Sequence, residues 1–138
     1  MSQFHRVTDR LSVAPQIGVE DVRAAAESGF VLLINNRPDG EEPGQAEGEA
    51  IEAAARAAGL DYVAIPVRGG PTREQAQAFH ERVAAADGPV LAYCRSGNRS
   101  ICTWAVGEAM AGRPADELVR LGADAGYDLR PVLAPLLG

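Results

Sequence analysis

The sequence predicts an α/β fold, a single three-layer domain over residues 1–138 with a mostly parallel sheet of four to five strands and helices on both faces. Two observations lead to this prediction. Short apolar runs alternate with stretches whose apolar residues recur at helical spacing, and no repeat, low-complexity tract or long linker interrupts the alternation. At 138 residues the chain can bury a core without disulfides or a structural metal.

The first half of the chain begins with two short strands around the Asp9-Arg10 turn, the second of them at residues 11–14. Residues 19–28 have apolar side chains at helical spacing, and Gly29 ends this helix. The run "FVLLIN", residues 30–35, is continuous and apolar, as expected of a strand covered on both faces. A turn-rich loop, "NRPDGEEPG", leads to a second helix over residues 45–58.

The second half repeats the alternation. Residues 60–67, "LDYVAIPV", predict a strand, and Thr72 can cap a helix over residues 73–86. Residues 89–93 predict the next strand, and a helix follows over residues 98–110. A further helix starts at Pro114, and the two prolines of the tail predict short helical turns there.

The candidate site follows from this order of elements, because ligands in such sheets bind beyond the carboxyl ends of the strands. That rule brings together the loops after Asn35, after Val67 and after Tyr93. The third loop, "CRSGNRS", turns a buried strand directly into a helix N-terminus. Its polar and charged residues are therefore the first candidates for function.

Composition and charge exclude several classes of function. The formal net charge of -6 argues against broad nucleic-acid binding, which needs a basic surface. All 13 basic residues are arginine, so no lysine can form a Schiff base or bind a nucleotide in a P-loop. Two cysteines and two histidines do not have the spacing of a zinc site, and we expect no metal and no cofactor.

The sequence also predicts a cytoplasmic protein without membrane partners. No apolar run approaches the roughly 20 residues that cross a bilayer. The N-terminal stretch "MSQFHRVTDR" lacks the apolar centre of a secretory signal.

Cys94 begins the loop "CRSGNRS" and is the predicted nucleophile. A short glycine-containing loop before a helix turns successive backbone N–H groups toward one point, where an anion can bind. These N–H groups, the helix dipole and Arg99 favour the thiolate form of a cysteine at that point. Gly97 permits the tight turn, and Arg99 can bind two oxygens of an oxyanion.

The other loop residues are predicted to bind substrate, with Ser100 also able to donate a hydrogen bond to the sulfur; they are Arg95, Ser96, Gly97, Asn98 and Ser100. The alternative for Cys94 is an ordinary buried cysteine, but the arginines, glycine and serines that follow it argue against that interpretation. Cys102, inside the next helix, is interpreted as a core residue, with resolution of an oxidised Cys94 as its alternative role.

Two arginines on the neighbouring loops are further candidates for substrate binding. Arg37 could add positive charge to the anion pocket, or it could pair with an acidic residue while Asp39-Gly40 forms a plain turn. Arg68 follows the predicted strand 60–67 and could contact substrate.

The loop "YCRSGNRS" resembles the active-site loop of rhodanese-type sulfurtransferases, Cys-Arg-x-Gly-x-Arg, and is similar to the phosphate loop of cysteine-dependent protein phosphatases. Over nearly its whole length the chain resembles a small bacterial family, the phosphatase-like domain of beta-lactamase hydrolase-like proteins. The matching stretches are "VLLINNRPDGEEPGQ", "GLDYVAIPVRGG" and "GPVLAYCRSGNRS". This resemblance implies a fold like that of dual-specificity phosphatases and an activity of either kind.

Departures from the cysteine phosphatases favour sulfur transfer. The loop has four residues between Cys94 and Arg99, one fewer than the phosphatase pattern, whereas the rhodanese pattern has this shorter length. Phosphatases of this fold place an aspartic general acid after the preceding strand, but here that loop is "VRGGPT", which leaves Asp39 as the only plausible substitute. Tyr93 stands where phosphatases commonly have a histidine.

The sequence therefore predicts a sulfurtransferase that carries sulfane sulfur as a persulfide on Cys94, with Arg99 as a second catalytic residue. The small anionic substrate is a persulfide or thiosulfate, and the expected partners are a thiol acceptor and, by resemblance, a separate persulfide dioxygenase. The alternative is a phosphatase that acts on a phosphoester through a cysteinyl-phosphate intermediate. A module that binds an anion without turnover is the third interpretation.

Overall fold

The core of the fold is a five-stranded sheet in the order β1-β2-β5-β3-β4. The computed structural model describes residues 4–137, so residues 1–3 and 138 of the predicted domain lie outside the described residues. β1 is antiparallel to β2, and the other neighbouring pairs are parallel, which confirms the predicted mostly parallel sheet. The strands are β1 (His5–Arg6), β2 (Leu11–Ala14), β3 (Leu32–Asn35), β4 (Asp61–Ala64) and β5 (Val90–Tyr93).

Helices cover both faces of the sheet, which confirms the three predicted layers. On β3, Leu33 packs with the helices of one face and Ile34 with those of the other, because successive strand residues point to opposite faces. The first face carries α1 (Val19–Glu27) and α2 (Gly48–Ala57). The second carries α3 (Arg73–Ala85), α4 (Asn98–Met110), α5 (Ala115–Ala125) and α6 (Arg130–Leu137).

Two elements begin two or three residues later than the sequence predicts. The strand expected from Phe30 starts at Leu32, because the Phe30 backbone N–H donates to the carbonyl of Ala25 at 3.2 Å and closes the end of α1. The helix expected from residue 45 starts at Gly48. There the side chain of Asp39 accepts the Gly48 N–H at 2.8 Å and replaces a partner that the preceding turn would have supplied.

Two elements differ by more than one residue toward their carboxyl ends. The strand expected to reach Val67 has ended by Ala64, although the chain stays beside β3 through a hydrogen bond from Val67 N to Asn36 O at 2.9 Å. The tail forms the helix α6, with Pro135 inside it, rather than separate short turns. Within residues 4–137 no helix has the length and apolar character needed to cross a bilayer.

The parallel register aligns the ends of the strands. Ala14 and Asn35 both pair with Tyr93, and Ala64 pairs with Asn35. The loops that follow these residues therefore leave the sheet at one edge. Cys94 comes directly after β5, the central strand of this group.

Candidate active site

Cys94 is held at the end of β5 with its side chain fully buried. Its backbone N–H donates to the carbonyl of Ala14 at 3.3 Å, and its Sγ atom accepts the Gly97 N–H at 3.1 Å. Gly97 has a φ of +91°, a left-handed conformation that glycine adopts without steric cost, and α4 begins at the next residue. One backbone N–H of the predicted anion loop is thus directed at the sulfur.

Two contacts from outside the loop fix its outer edge. The hydroxyl of Tyr127, in the connection between α5 and α6, donates to the carbonyl of Ser96 at 2.9 Å, and the Gln16 N–H donates to the carbonyl of Arg95 at 3.3 Å. A Cβ atom on Gly97 would collide with the Tyr127 hydroxyl. Burial raises the pKa of Tyr127, which keeps its hydroxyl protonated as a donor.

Arg99 lies beside the sulfur and is held by two acceptors. Its Nη1 and Nη2 atoms donate to the two carboxylate oxygens of Glu41, each at 2.8 Å, and Nη1 also donates to the carbonyl of Val67 at 2.8 Å. The hydrogen bonds to Glu41 raise the pKa of Arg99, and the neighbouring Cys94 sulfur adds to that shift. The structure therefore brings the two predicted catalytic residues together.

Glu41 joins the loop after β3 to the loop after β5. Besides Arg99, its Oε1 atom accepts the Nε–H of Arg37 at 2.9 Å. The hydrogen bonds from Arg99 lower the pKa of Glu41 to about 2, so it is a carboxylate at neutral pH. Sequence reasoning missed this residue, and the only signal for it was the acidic stretch "NRPDGEEPG" on a loop already assigned to the site edge.

Arg37 is 3% exposed and fully engaged by its neighbours. It donates to Glu41 and Glu42, each at 2.9 Å, and to the side chain of Gln16 at 3.1 Å. Burial opposes its charge, but the hydrogen bonds to Glu42 and Glu41 outweigh burial and raise the pKa of Arg37. Of the two predicted roles, the geometry fits the pairing with acidic residues.

The remaining charged candidates lie at the same edge of the sheet. The side chain of Asp39 accepts the Gly48 N–H at the start of α2. Arg68 is exposed and lines an open cleft of about 280 Å³ with Asn35 and Tyr62. Three loop residues predicted to bind substrate are exposed to solvent: Arg95, Ser96 and Asn98. A larger groove, of about 580 Å³, lies between α1 and α2 and contains no predicted site residue.

Ser100 is fully buried in the first turn of α4. Its Oγ atom has no hydrogen-bond partner among the described residues, so the predicted bond to the Cys94 sulfur is not formed in this structure. An unpartnered buried hydroxyl costs about 1–3 kcal/mol. Ser100 is therefore a donor at the loop that no group of the folded chain uses.

Tyr93 and Cys102 are neutral groups at neutral pH. Burial raises the pKa of Tyr93 well above its usual value, so its phenol stays uncharged, whereas a histidine at this position could carry a positive charge. Cys102 is partly buried against the core, and burial raises the pKa of its thiol to about 11, which fits its interpretation as a core residue. No cluster of three or more potential metal ligands occurs within residues 4–137.

A buried cysteine at the carboxyl end of a central parallel strand, followed by a glycine turn and an arginine in the first turn of a helix, defines a cysteine-phosphatase-like α/β domain. The profile of the beta-lactamase hydrolase-like protein, phosphatase-like domain, matches residues 3–111. The chain belongs to this family, as the sequence predicted.

Similar proteins support the same class. A beta-lactamase hydrolase-like protein of Agrobacterium fabrum is 42% identical over 127 residues, which are 90% of this chain and 29% of that protein. A crystal structure from Neisseria meningitidis, provisionally assigned as a phosphatase, is 30% identical, covers 99% of this chain and 96% of its own, and has a TM-score of 0.85. PTPMT1 in complex with PI(5)P is 14% identical, covers 99% and 92%, and has a TM-score of 0.79, a likeness in fold alone.

These comparisons bear on the two predicted activities differently. They confirm the phosphatase-like fold and back the predicted alternative, a phosphatase, better than sulfur transfer. No sulfurtransferase appears among the relatives described above.

Proposed function

We propose that this domain uses the Cys94 sulfur as a nucleophile toward a small anionic substrate, and that the group transferred is a sulfane sulfur atom. The observation that carries the proposal is the state of the carboxylates bordering the loop. Asp39 accepts the Gly48 N–H at 2.8 Å, and Glu41 lies between Arg99 and Arg37 with a pKa of about 2. A group with that pKa holds no proton at neutral pH to give to a leaving oxygen. A reaction whose leaving group needs no proton suits this site best.

Sulfur transfer has such leaving groups. In the first step the Cys94 thiolate forms a bond to the outer sulfur of thiosulfate, the S–S bond of the donor breaks, and sulfite leaves with the electron pair. A persulfide donor reacts in the same way and releases a thiolate. In the second step an acceptor thiolate or cyanide attacks the terminal sulfur of the Cys94 persulfide, and the Cys94 thiolate is regenerated.

The contacts of the site suit both steps. The Gly97 N–H at 3.1 Å from Sγ and the nearby Arg99 guanidinium stabilise negative charge at the sulfur. Ser100 follows Arg99 in the first turn of α4, and its hydroxyl has no partner among the described residues. We expect this hydroxyl to donate a hydrogen bond to a sulfur atom carried on Cys94. The four-residue spacing from Cys94 to Arg99 matches the rhodanese-type pattern in length.

Phosphoester hydrolysis is the second candidate, and the comparisons favour it. The Neisseria meningitidis structure provisionally assigned as a phosphatase has a TM-score of 0.85 to this chain. In this reaction Cys94 attacks phosphorus, the ester oxygen leaves as an alcohol after taking up a proton, and water then hydrolyses the cysteinyl phosphate to inorganic phosphate. Asp39 and Glu41, as they are placed in this structure, do not assist protonation of the leaving ester oxygen.

The proposed partners follow from the chemistry of the site. They are a small anionic donor, a thiol acceptor and no membrane or nucleic acid, in a cytoplasmic setting that keeps both cysteines reduced. The chain spans 29% of the Agrobacterium fabrum relative, and we propose a separate persulfide dioxygenase as a further partner of this domain.

The two reactions can be separated with one set of proteins. Wild type, Cys94→Ser and Cys102→Ser are each incubated with thiosulfate alone to measure intact mass, with thiosulfate and cyanide to measure thiocyanate, and with an aryl phosphate to measure released phosphate. We expect wild type and Cys102→Ser to gain the mass of one sulfur atom and to form thiocyanate, and Cys94→Ser to do neither. Cys102→Ser is the matched control because it removes the other thiol.

Phosphate release that depends on Cys94, without thiocyanate formation, would replace sulfur transfer by phosphoester hydrolysis. Thermal stabilisation by sulfate without turnover of either substrate would leave only an anion-binding module.

A further inference from the structure

The N–H donors of Arg99 lie on two sides of its guanidinium, and the described residues bind one of these sides. A guanidinium has five N–H donors in one plane, and Nε–H and one Nη2–H point to the same lateral edge. In Arg99 the opposite end of the group, formed by Nη1 and Nη2, is taken by Glu41 at 2.8 Å and by the carbonyl of Val67 at 2.8 Å. Nε donates to no oxygen acceptor among the residues that the structure describes, and the guanidinium lies near the Cys94 sulfur, which adds to the raised pKa of Arg99. The lateral edge is thus left for two oxygens of a bound anion.

Glu41 is itself held firmly. Its Oε1 atom accepts from Arg37 Nε at 2.9 Å, and its backbone N–H donates to the side chain of Gln45 at 3.0 Å. Arg37 is 3% exposed and is fixed further by Gln16 at 3.1 Å. Arg37 is therefore buried and bonded to several groups, and it fixes Glu41, which in turn fixes Arg99.

We propose that Glu41 is a positioning residue that orients the Arg99 guanidinium so that its lateral edge binds the substrate oxyanion. This inference rests on the proposed function only in taking Arg99 as the residue that binds the anion, and it applies to a sulfur or a phosphorus oxyanion alike. The carboxylate sets the angle of the guanidinium and takes no part in bond formation.

The direction in which anion affinity changes in Glu41→Gln separates a positioning role from simple electrostatics. Removing a negative charge beside an anion site strengthens anion binding if the carboxylate only repels the anion or competes with it for Arg99. If Glu41 positions Arg99, the same change weakens binding, because the guanidinium loses a bidentate, charge-assisted contact and rotates away from its productive angle.

The experiment measures thiosulfate and sulfate binding from the rise of melting temperature with anion concentration, in a chloride buffer. We expect Glu41→Gln to weaken binding about 10-fold, the value of one charge-assisted hydrogen bond. Glu52→Gln is the matched control, because Glu52 pairs with Arg56 on α2 at 2.9 Å and bonds to neither Arg37 nor Arg99. That variant should bind within about twofold of wild type.

A double-mutant cycle shows that Glu41 acts through Arg99. In an Arg99→Lys background, which lacks the planar guanidinium, Glu41→Gln should change anion binding by less than about twofold. Should Glu41→Gln not fold, Glu41→Asp serves in the same cycle, since it keeps the charge but shortens the reach.

Equal or tighter binding by Glu41→Gln in the wild-type background would overturn the positioning role. Failure of wild type itself to bind either anion would instead overturn the proposed function.

Discussion

The hydroxyl of Tyr127 donates a hydrogen bond to the carbonyl oxygen of Ser96 at 2.9 Å, across 31 positions of sequence. This contact joins the segment between α5 and α6 to the loop that contains Cys94. Because the same hydroxyl leaves no space for a Cβ atom at Gly97, the aromatic residue and the glycine fit each other. The position of the loop amides therefore depends on an element far along the chain.

Replacing Tyr127 with phenylalanine removes this hydrogen bond and keeps the ring. We expect the free energy of unfolding to fall by about 1 kcal/mol. We also expect kcat/KM to fall about 10-fold, because the loop amides lose their fixed distance to the sulfur. Denaturant unfolding and steady-state kinetics measure the two effects.

Tyr62→Phe is the matched control for Tyr127→Phe. It loses a comparable bond, from Asn35 Nδ2 at 2.9 Å, in which no residue of the loop 94–100 takes part. It should lose stability but little turnover. Equal kcat/KM in wild type and Tyr127→Phe would contradict the role of this contact.

Ser100→Ala should raise stability and lower activity. The Ser100 hydroxyl is fully buried without a partner in the described structure, so its removal should add about 1 kcal/mol to the free energy of unfolding. Turnover should fall about 10-fold, because the sulfur atom carried as a persulfide on Cys94 loses a hydrogen-bond donor.

Thr103→Val, on the same helix, gives the contrast to Ser100→Ala. Its hydroxyl already donates to the carbonyl of Arg99 at 2.6 Å, so its loss should destabilise the protein. A Ser100→Ala protein with full turnover would show that the buried hydroxyl serves no reacting group.

Asp39→Asn tests the one carboxyl that the sequence offered as a general acid. The asparagine oxygen can still accept the Gly48 N–H that Asp39 accepts at 2.8 Å, so fold and turnover should be retained. We expect kcat/KM within about twofold of wild type, against a loss of about 10² to 10⁴-fold for removal of a general acid.

Asp39→Ala serves as the structural control, since it removes the acceptor at the start of α2 and should cost about 1 kcal/mol of stability. A large loss of aryl phosphate hydrolysis in Asp39→Asn alone would identify Asp39 as the acid.

The ion pairs of Glu41 predict that their contribution to the free energy of unfolding falls at acid pH. Hydrogen bonds from Arg99 lower the pKa of Glu41 from 4.5 to about 2 in the folded protein. A carboxyl whose folded pKa is lowered adds stability that is fully present above the unfolded value and is lost as the pH falls through the folded one. The contribution of Glu41 should therefore be constant near neutral pH and decline between about pH 4.5 and 2.

Denaturant unfolding of wild type and Glu41→Gln over a range of pH measures this contribution. The difference in free energy of unfolding between the two proteins should shrink as the pH falls below 4.5. A difference that stays constant down to about pH 3 would show that Glu41 titrates normally in the folded state.

The sequence predicted the fold well because the signals for it are local. Continuous apolar runs marked β3 and β5, and glycines such as Gly29 and Gly59 marked helix ends. Errors fell at boundaries that depend on contacts outside the segment. The start of α2 is set by Asp39, nine positions before Gly48.

The candidate site was predictable only where it is contiguous in sequence. Cys94, Gly97 and Arg99 lie within one loop, and their residue types alone indicate an anion site. Glu41 reaches Arg99 across 58 positions and Tyr127 reaches Ser96 across 31, so neither pairing has a local pattern. The choice between the two roles of Arg37 depended in the same way on side-chain placement.

The family-model match ends at residue 111, before α5 and α6. Yet Leu118, Leu129 and Leu133 are fully buried, and Tyr127 lies between these helices. The core and the cysteine loop therefore depend on residues outside the matched range. Substitutions between α5 and α6 can therefore change the rigidity of the cysteine loop, which gives evolution a way to retune the reaction without changing a residue of the loop.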